Sequence, residues 1–205
     1  MTNHQISPSS MSLILASTSV YRQKQLRQLG IPFQSMKPLC DEEIVKNKFQ
    51  HLPAQQLAQQ LAFQKAFSLQ KEVPKSSVLI GADQLVQFQD KILGKPHTRD
   101  KAVEQLLNMS GKTHQLITAV CLLEEEQRWD ILNITQLRMY PLSHQEIETY
   151  VDLDLPLDCA GSYKIEEHGI RLFEKIDTQD FTAIQGLPLL QLHQLLRSWN
   201  FKLTP

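Results

Sequence analysis

Apolar segments with two different periodicities follow one another along the chain, and this mixture limits the folds that it can adopt. Short, largely apolar runs such as 12–16 and 78–80 are typical of buried strands. Leu57, Leu61 and Leu69 instead lie at helical spacing. Strands and helices mix without strict alternation. The sequence therefore predicts an α/β fold, with an extended mixed β-sheet flanked by helices.

Capping and turn residues set the borders of the predicted elements. Ser17 and Ser19 offer cap oxygens for a helix that ends near Leu29, where Gly30 follows. The other predicted elements are a helix over 53–70, a strand ending at 81–83, a hairpin of 85–88 and 91–93, a helix over 98–109, long strands over 114–123 and 128–140, a helix over 143–151, strands over 170–176 and 181–184, and a helix from 188.

Composition excludes several classes of protein. The 205 residues carry a net charge of −1, so no bulk positive field is available to bind a nucleic acid polymer. No apolar stretch approaches the roughly 20 residues of a membrane span. The three cysteines form no Cys-x-x-Cys pair and fit a reducing cytoplasm. We expect a polar tail over 1–11 and a single domain over 12–205.

Familiar catalytic and binding motifs are missing from the sequence. Ser110-Gly111-Lys112-Thr113 resembles the end of a phosphate-binding P-loop, but Leu106 occupies the position of its first glycine. The sequence contains no G-x-G-x-x-G and no G-x-S-x-G. No H-x-x-H pattern occurs among the seven histidines, which argues against a zinc site.

Charged residues beside apolar elements are the remaining candidates. Asp83 follows the buried run 78–82, where ligand sites of open sheets gather, although a turn-forming aspartate is an equal alternative. Lys95 follows Gly94 in a loop, and Lys65 lies among apolar helix residues; a solvated and a snorkelling lysine are the plain alternatives. Arg22 joins the hydroxyls of Ser17 and Ser19 at a helix N-terminus, a combination that suits phosphate.

Two aspartates are candidates for metal binding. Cations gathered around a polyphosphate would leave Asp83 and Asp41 to bind a hard divalent ion through oxygen. Asp41 stands in Cys40-Asp41-Glu42-Glu43, for which a solvated acidic turn is the alternative.

Seven short motifs in this order resemble those of the Maf family of nucleoside triphosphate pyrophosphatases. They are 13–22, Leu29-Gly30, Gly81-Ala82-Asp83-Gln84, Leu93-Gly94-Lys95-Pro96, Ser110-Gly111-Lys112-Thr113-His114, Cys159-Ala160-Gly161-Ser162-Tyr163 and Gly186-Leu187-Pro188-Leu189. Each motif is weak alone, but the ordered set is specific and runs from about residue 12 to residue 196.

The resemblance implies a two-lobed α/β fold with a central cleft, and cleavage between the α- and β-phosphates. Asp83 would be the general base, with Mg²⁺ or Mn²⁺ as cofactor, held through carboxylates. Lys65, Lys95 and Arg22 would neutralise and position the polyphosphate. The implied partner is a small nucleotide, without a membrane or a nucleic acid polymer, and a homodimer is left open.

Three positions resemble the Maf subgroup that hydrolyses 7-methyl-GTP. These are Tyr21 before the arginine of the first motif, Gln84 after Asp83, and Glu166 where the subgroup acting on dTTP and UTP has glutamine. Two departures from the family are Val20, usually proline, and Glu167, a common glycine position.

The three positions have a physical interpretation. An aromatic face at Tyr21 can stack on the cationic 7-methylguanine base, and the Glu166 carboxylate can accept its N–H groups. The amide of Gln84 can hydrogen-bond to a carbonyl or to a ring edge of the base. Helix packing for Tyr21 and a surface acid for Glu166 are the alternatives. Hydrolysis of dTTP, UTP or another modified nucleotide, and a nucleotide-sensing role in cell division, remain the alternative functions.

Overall fold

The computed structural model describes residues 11–199 and residue 201. Its strands are β1 (Ser12–Ala16), β2 (Gln34–Met36), β3 (Ser77–Phe88), β4 (Lys91–Leu93), β5 (Thr113–Glu124), β6 (Gln127–Met139) and β7 (Phe173–Asp177). The α-helices are α1 (Val20–Arg27), α2 (Glu42–Phe49), α3 (Ala54–Phe67), α4 (Arg99–Met109), α5 (His144–Asp154) and α6 (Leu189–Ser198). Three short 3₁₀ helices cover Ala160–Ser162, Gly169–Leu172 and Phe181–Gln185.

Within the described residues, the strands form one seven-stranded sheet of mixed direction. Its order is β2-β1-β3-β5-β6-β7, and β4 pairs with β3 at its far end. The β1 strand is parallel to β2 and β3, whereas the β3–β5–β6–β7 pairs are antiparallel. Helices pack on the sheet, so the predicted α/β fold with an extended mixed sheet is confirmed.

Two of the hydrophobic clusters lie at different places along the sheet. One gathers α4, α5, the far end of β3 and β7 around Leu106, Leu137 and Val151. Another joins α1, α6 and the start of the sheet around Leu15, Leu26 and Leu192. Met11, the last residue of the predicted polar tail, packs against this second cluster. Residues 1–10 lie outside the described residues.

Two predicted strand assignments are wrong, and a third, 170–176, is wrong in its first part, because Gly169–Leu172 is a 3₁₀ helix and β7 begins only at Phe173. The strand predicted to end at 81–83 continues to Phe88, so Asp83 lies in the middle of β3, opposite Ala119 of β5. The parallel neighbour β1 instead stops at Ala16, opposite Gly81. Asp83 therefore lies where the neighbouring strand ends, and this leaves the edge of β3 open. The second wrong assignment is 181–184, which forms a 3₁₀ helix because Asp180 caps it by accepting from Thr182 N.

Two elements, β2 and α2, were missed by the sequence analysis. Both are short, at three and eight residues. The predicted helices, which correspond to α1, α3, α4, α5 and α6, are confirmed to within a few residues, and Ser143 forms the predicted type of capping box with Glu146. Within the described residues, no helix combines the length and apolar character that crossing a bilayer requires.

Candidate active site

A cleft of about 670 Å³ opens where β1 ends beside β3. Its lining includes Ser17, Ser19, Tyr21, Arg22, Lys65, Asp83, Gln84, Lys95 and Glu166, which are nine of the ten predicted site residues. Asp41, the tenth, is not among the lining residues. The structure therefore brings together side chains that are up to 149 positions apart in the sequence.

A close helix–strand contact places Lys65 against Asp83. A Cβ atom at Gly81 would lie only 2.0 Å from the carbonyl oxygen of Ala62, so α3 approaches β3 as only glycine allows. Asp83 lies two residues further along the strand and therefore on the same face as Gly81. Lys65, one helical turn after Ala62, meets it there: Lys65 Nζ lies 2.6 Å from Asp83 Oδ1.

A second carboxylate, the half-exposed Glu42, extends the buried Lys65–Asp83 pair into an ion cluster. Glu42 Oε2 lies 2.9 Å from Lys65 Nζ, and its Oε1 lies 3.1 Å from Lys46 Nζ. Burial alone would raise the pKa of Glu42, but the two ammonium groups outweigh it and lower this pKa to about 2. Glu42 is therefore ionised throughout the neutral range.

Asp83 keeps one oxygen without a partner. Among the described residues, no group hydrogen-bonds to the buried Oδ2 atom. A buried carboxylate oxygen without a partner is costly unless substrate, water or a cation meets it. Asp83 lines the cleft, so a bound molecule there can supply this partner.

Asp41, predicted to hold metal, has a different position. Its Oδ1 accepts from the backbone N–H groups of Glu43 and Ile44, at 2.9 and 3.2 Å, so the side chain caps α2. The neighbouring Glu42, missed by the sequence analysis, faces the cleft instead. Had α2 been predicted, an aspartate directly before a helix would have indicated a cap.

The predicted phosphate-binding residues surround the N-terminus of α1. Ser19 caps the helix by accepting from Arg22 N at 3.4 Å, and Ser17 Oγ accepts from Ser19 N at 3.1 Å. The Arg22 side chain donates from Nε to the Gly186 carbonyl, 3.3 Å away. Burial lowers the pKa of Arg22, while nearby Asp83 and Glu42 act against this shift. The guanidinium therefore lies close to the ion cluster and remains charged.

Lys37 and Lys95 add two further cations to the cleft lining. Lys95 is exposed and follows β4 in a loop. This loop is held by the bond from His97 N to the Leu157 carbonyl, at 2.9 Å. Lys37 was missed by the sequence analysis because nothing in its neighbourhood marks it as different from a surface lysine.

Acidic residues gather around Tyr21. Its pKa is raised by partial burial first, and then by the charges of Glu166, Asp158 and Glu167 and by Cys159. Asp158 and Glu166 both line the cleft, and Tyr21 is 37% exposed, so its ring is available for contact. Asp158 is a further acid that the sequence analysis missed.

Gln84 is held with a defined orientation of its amide. Its Nε2 lies 2.9 Å from Thr118 Oγ1, 2.9 Å from the Ala183 carbonyl and 3.2 Å from the Ile184 carbonyl. The two carbonyls accept only, and the Thr118 hydroxyl already donates to the Ala183 carbonyl at 3.0 Å. These contacts use the amide nitrogen, and no group of the described residues hydrogen-bonds to the amide oxygen, which is therefore available as an acceptor.

Comparison with known proteins identifies the family. A family model described as Maf-like protein matches residues 12–199. The chain belongs to the Maf family. The predicted family resemblance is thus confirmed, and the cleft described above is the candidate active site of a Maf protein.

Relatives of this Maf chain cover almost its whole length. A 7-methyl-GTP pyrophosphatase of Bdellovibrio bacteriovorus is 51% identical over 188 residues, which are 92% of this chain and 97% of that protein. Proteins of the same name from Xanthomonas oryzae and Saccharophagus degradans are 42% and 39% identical, covering 93% and 96% of this chain and 98% of each relative.

Proposed function

We propose that this Maf protein is a nucleoside triphosphate pyrophosphatase whose substrate is 7-methyl-GTP. One observation carries the proposal: the cleft contains two different groups of side chains. The first, around α1 and α3, consists of cations and Asp83, and the second consists of the acids around Tyr21. The first group suits a polyphosphate, and the second suits a cationic base. The name shared by the relatives agrees with this substrate.

The ion cluster supports hydrolysis at the α-phosphate. Asp83 would take the proton of the attacking water at Oδ2, because Oδ1 is engaged by Lys65. Water oxygen then bonds to the α-phosphorus, and the bond to the bridging oxygen of the β-phosphate breaks. Nucleoside monophosphate and pyrophosphate are the products. Arg22, Lys65 and Lys95 would stabilise the charge on the leaving pyrophosphate.

Asp83 and Glu42 fit a divalent cation better than the pair predicted from the sequence. Carboxylate oxygens suit Mg²⁺ or Mn²⁺, and each has two lone pairs, so Asp83 Oδ2, without a protein partner among the described residues, would have one lone pair for a cation and one for the attacking water. No three His, Cys, Asp or Glu side chains in that part of the chain gather as a metal site, so phosphate oxygens and water would complete the shell. The cation would supply charge neutralisation at the phosphates. Chelation followed by addition of either ion tests this requirement.

The part of the cleft around Tyr21, here called the base end, suits a purine whose edge carries hydrogen-bond donors. Gln84 presents an amide oxygen, and the Glu166 carboxylate also only accepts. Guanine has an N1–H and a 2-amino group to meet two such acceptors, whereas uracil and thymine have a single N–H. Asp158 adds a second negative charge for the cationic 7-methylguanine ring.

The test is pyrophosphate release from 7-methyl-GTP, GTP, dTTP and UTP, with nucleotide binding measured in parallel. We expect the highest kcat/KM with 7-methyl-GTP. Preference for dTTP or UTP would favour the pyrimidine alternative. Binding without release would favour the nucleotide-sensing role in cell division. The cytoplasmic location and the homodimer remain predictions, and sedimentation of the purified chain tests the latter.

A further inference from the structure

The segment 164–169, which carries Glu166, is closed on itself as a tight turn. The Lys164 carbonyl accepts from Gly169 N at 2.9 Å and from Glu167 N at 3.3 Å. A Cβ atom at position 169 would lie 2.4 Å from the same carbonyl oxygen, so only glycine allows this closure. Glu166 lies in this turn, exposed and on the cleft lining.

The end of α5 holds both ends of this turn. At the first end, Tyr150 Oη accepts from Lys164 N at 2.9 Å, and the Asp154 carbonyl accepts from Lys164 Nζ at 2.8 Å. At the other end, the Asp154 carboxylate accepts from His168 N at 3.1 Å and lies 2.6 Å from His168 Nδ1. One residue, Asp154, thus contacts the turn from both sides of Glu166.

The Asp154 carboxylate is a buried charge whose observed hydrogen bonds go to His168. Its side chain is 2% exposed, whereas the His168 side chain is 50% exposed. A buried carboxylate is tolerated only with good partners, and breaking such a pair leaves a costly unpaired charge. Because carboxylate only accepts, the short contact requires His168 Nδ1 to donate. The pair therefore ties an exposed segment to the interior.

We propose that Asp154 and His168 are positioning residues that fix the turn so that the Glu166 carboxylate meets the base. This inference rests on the proposed function, because it assigns a role to the base end of the same cleft. The pair lies on α5 and on the turn, and neither residue belongs to the phosphate-binding group. Its loss therefore affects base recognition and leaves the phosphate chemistry in place.

The experiment uses His168→Ala, His168→Asn and a matched control, His144→Ala. The amide nitrogen of asparagine can replace the Nδ1 donor, whereas alanine cannot. His144 pairs with Glu148 at 3.1 Å on the same helix, but at its start and away from the turn. His168 and His144 are both exposed. Steady-state kinetics are measured with 7-methyl-GTP and GTP.

For His168→Ala we expect a rise of about two- to tenfold in KM for 7-methyl-GTP, the factor of one hydrogen bond, with kcat within twofold of the parent. The ratio of kcat/KM for 7-methyl-GTP over GTP should also fall, by a smaller factor, because GTP loses the hydrogen bond to Glu166 but not an attraction between that carboxylate and a cationic ring. His168→Asn should restore most of the ratio, and His144→Ala should leave it unchanged. An unchanged ratio in His168→Ala, or equal losses with both nucleotides, would overturn the proposal.

Hydrogen exchange separates this proposal from the proposed function. Without any nucleotide, the amides of residues 167–169 should exchange faster in His168→Ala than in the parent and in His144→Ala. If the parent releases no pyrophosphate from either nucleotide, the proposed function fails. Hydrogen exchange then still tests whether the Asp154–His168 pair fixes the turn. Parent-like exchange in His168→Ala would show that the pair does not fix the turn.

Discussion

At the scale of single residues, the decisive feature is the unequal environment of the two Asp83 oxygens. Oδ1 is bound by Lys65 at 2.6 Å, and Oδ2 has no partner among the described residues. The sequence indicates Asp83 and Lys65 as candidates. It does not show that they touch, because their contact depends on how α3 packs against β3.

Asp83→Asn tests the general base. Asparagine keeps the shape but cannot take the water proton, so turnover should fall about 10²–10⁴-fold. Thermal unfolding should show that the variant remains folded. Near-parent turnover in a folded variant would exclude Asp83 as the base.

Glu166→Gln tests the recognition of the cationic base. Loss of a charge-assisted hydrogen bond is worth about 1.5–3 kcal/mol, or roughly 10–150-fold in kcat/KM. The loss should be larger for 7-methyl-GTP than for GTP, because the carboxylate also attracts the positive ring. Tyr21→Ala should act in the same direction by a smaller factor, since an exposed cation–π contact contributes about 0.5–1 kcal/mol. An unchanged ratio between the two nucleotides in both variants would remove the physical support for this substrate.

At the scale of elements, the site depends on how closely α3 lies against β3. Gly81 allows the contact with Ala62, and Lys65 reaches Asp83 because of it. Gly81→Ala should push the helix away, with a loss of about 1–3 kcal/mol in the free energy of unfolding. Turnover should fall as well, because Lys65 moves.

Gly94→Ala is the matched control for this prediction. A Cβ atom at Gly94 would meet nothing within 4 Å, so alanine fits there without displacing a neighbour. Urea unfolding of both variants provides the comparison. Equal stability of the two variants would mean that the α3–β3 contact is not tight enough to matter.

The elements also show what the sequence could predict. Strong local signals were sufficient for α4, which Thr98 caps, and for the capping box of α5. The end of β3 was misplaced, because Gly81 and Asp83 are turn residues by local propensity. Pairing with β5, Asp83 opposite Ala119, overrides that propensity. Local patterns also failed to indicate α2. The sequence therefore favoured Asp41 as a metal ligand, although it is the cap of that helix.

At the scale of the whole molecule, the cleft depends on buried groups that no local pattern identifies. His114 is 2% exposed, and its Nε2 lies 3.1 Å from the Tyr163 hydroxyl. Tyr163 in turn lines the cleft. His114 belongs to one of the family motifs in the sequence, but 49 positions separate it from Tyr163, so only the fold shows their contact.

His114 should make the stability of the whole molecule sensitive to acid. Burial lowers its pKa from 6.5 to about 4 in the folded state. As the pH falls below about 6.5, the unfolded chain binds a proton that the folded chain does not, so the free energy of unfolding decreases until about pH 4. Between pH 7 and pH 4.5 this group should remove about 2–3 kcal/mol.

His114→Gln isolates that contribution, because glutamine can still hydrogen-bond to the Tyr163 hydroxyl but does not titrate. Urea unfolding at pH 7 and at pH 4.5 gives the acid-induced loss of stability for parent and variant. Carboxylates titrate equally in both proteins and cancel in the difference. The parent should therefore lose about 2–3 kcal/mol more than the variant over this interval. Equal losses would mean that His114 takes up its proton in the folded state as readily as in the unfolded chain, and that its burial does not hold it neutral.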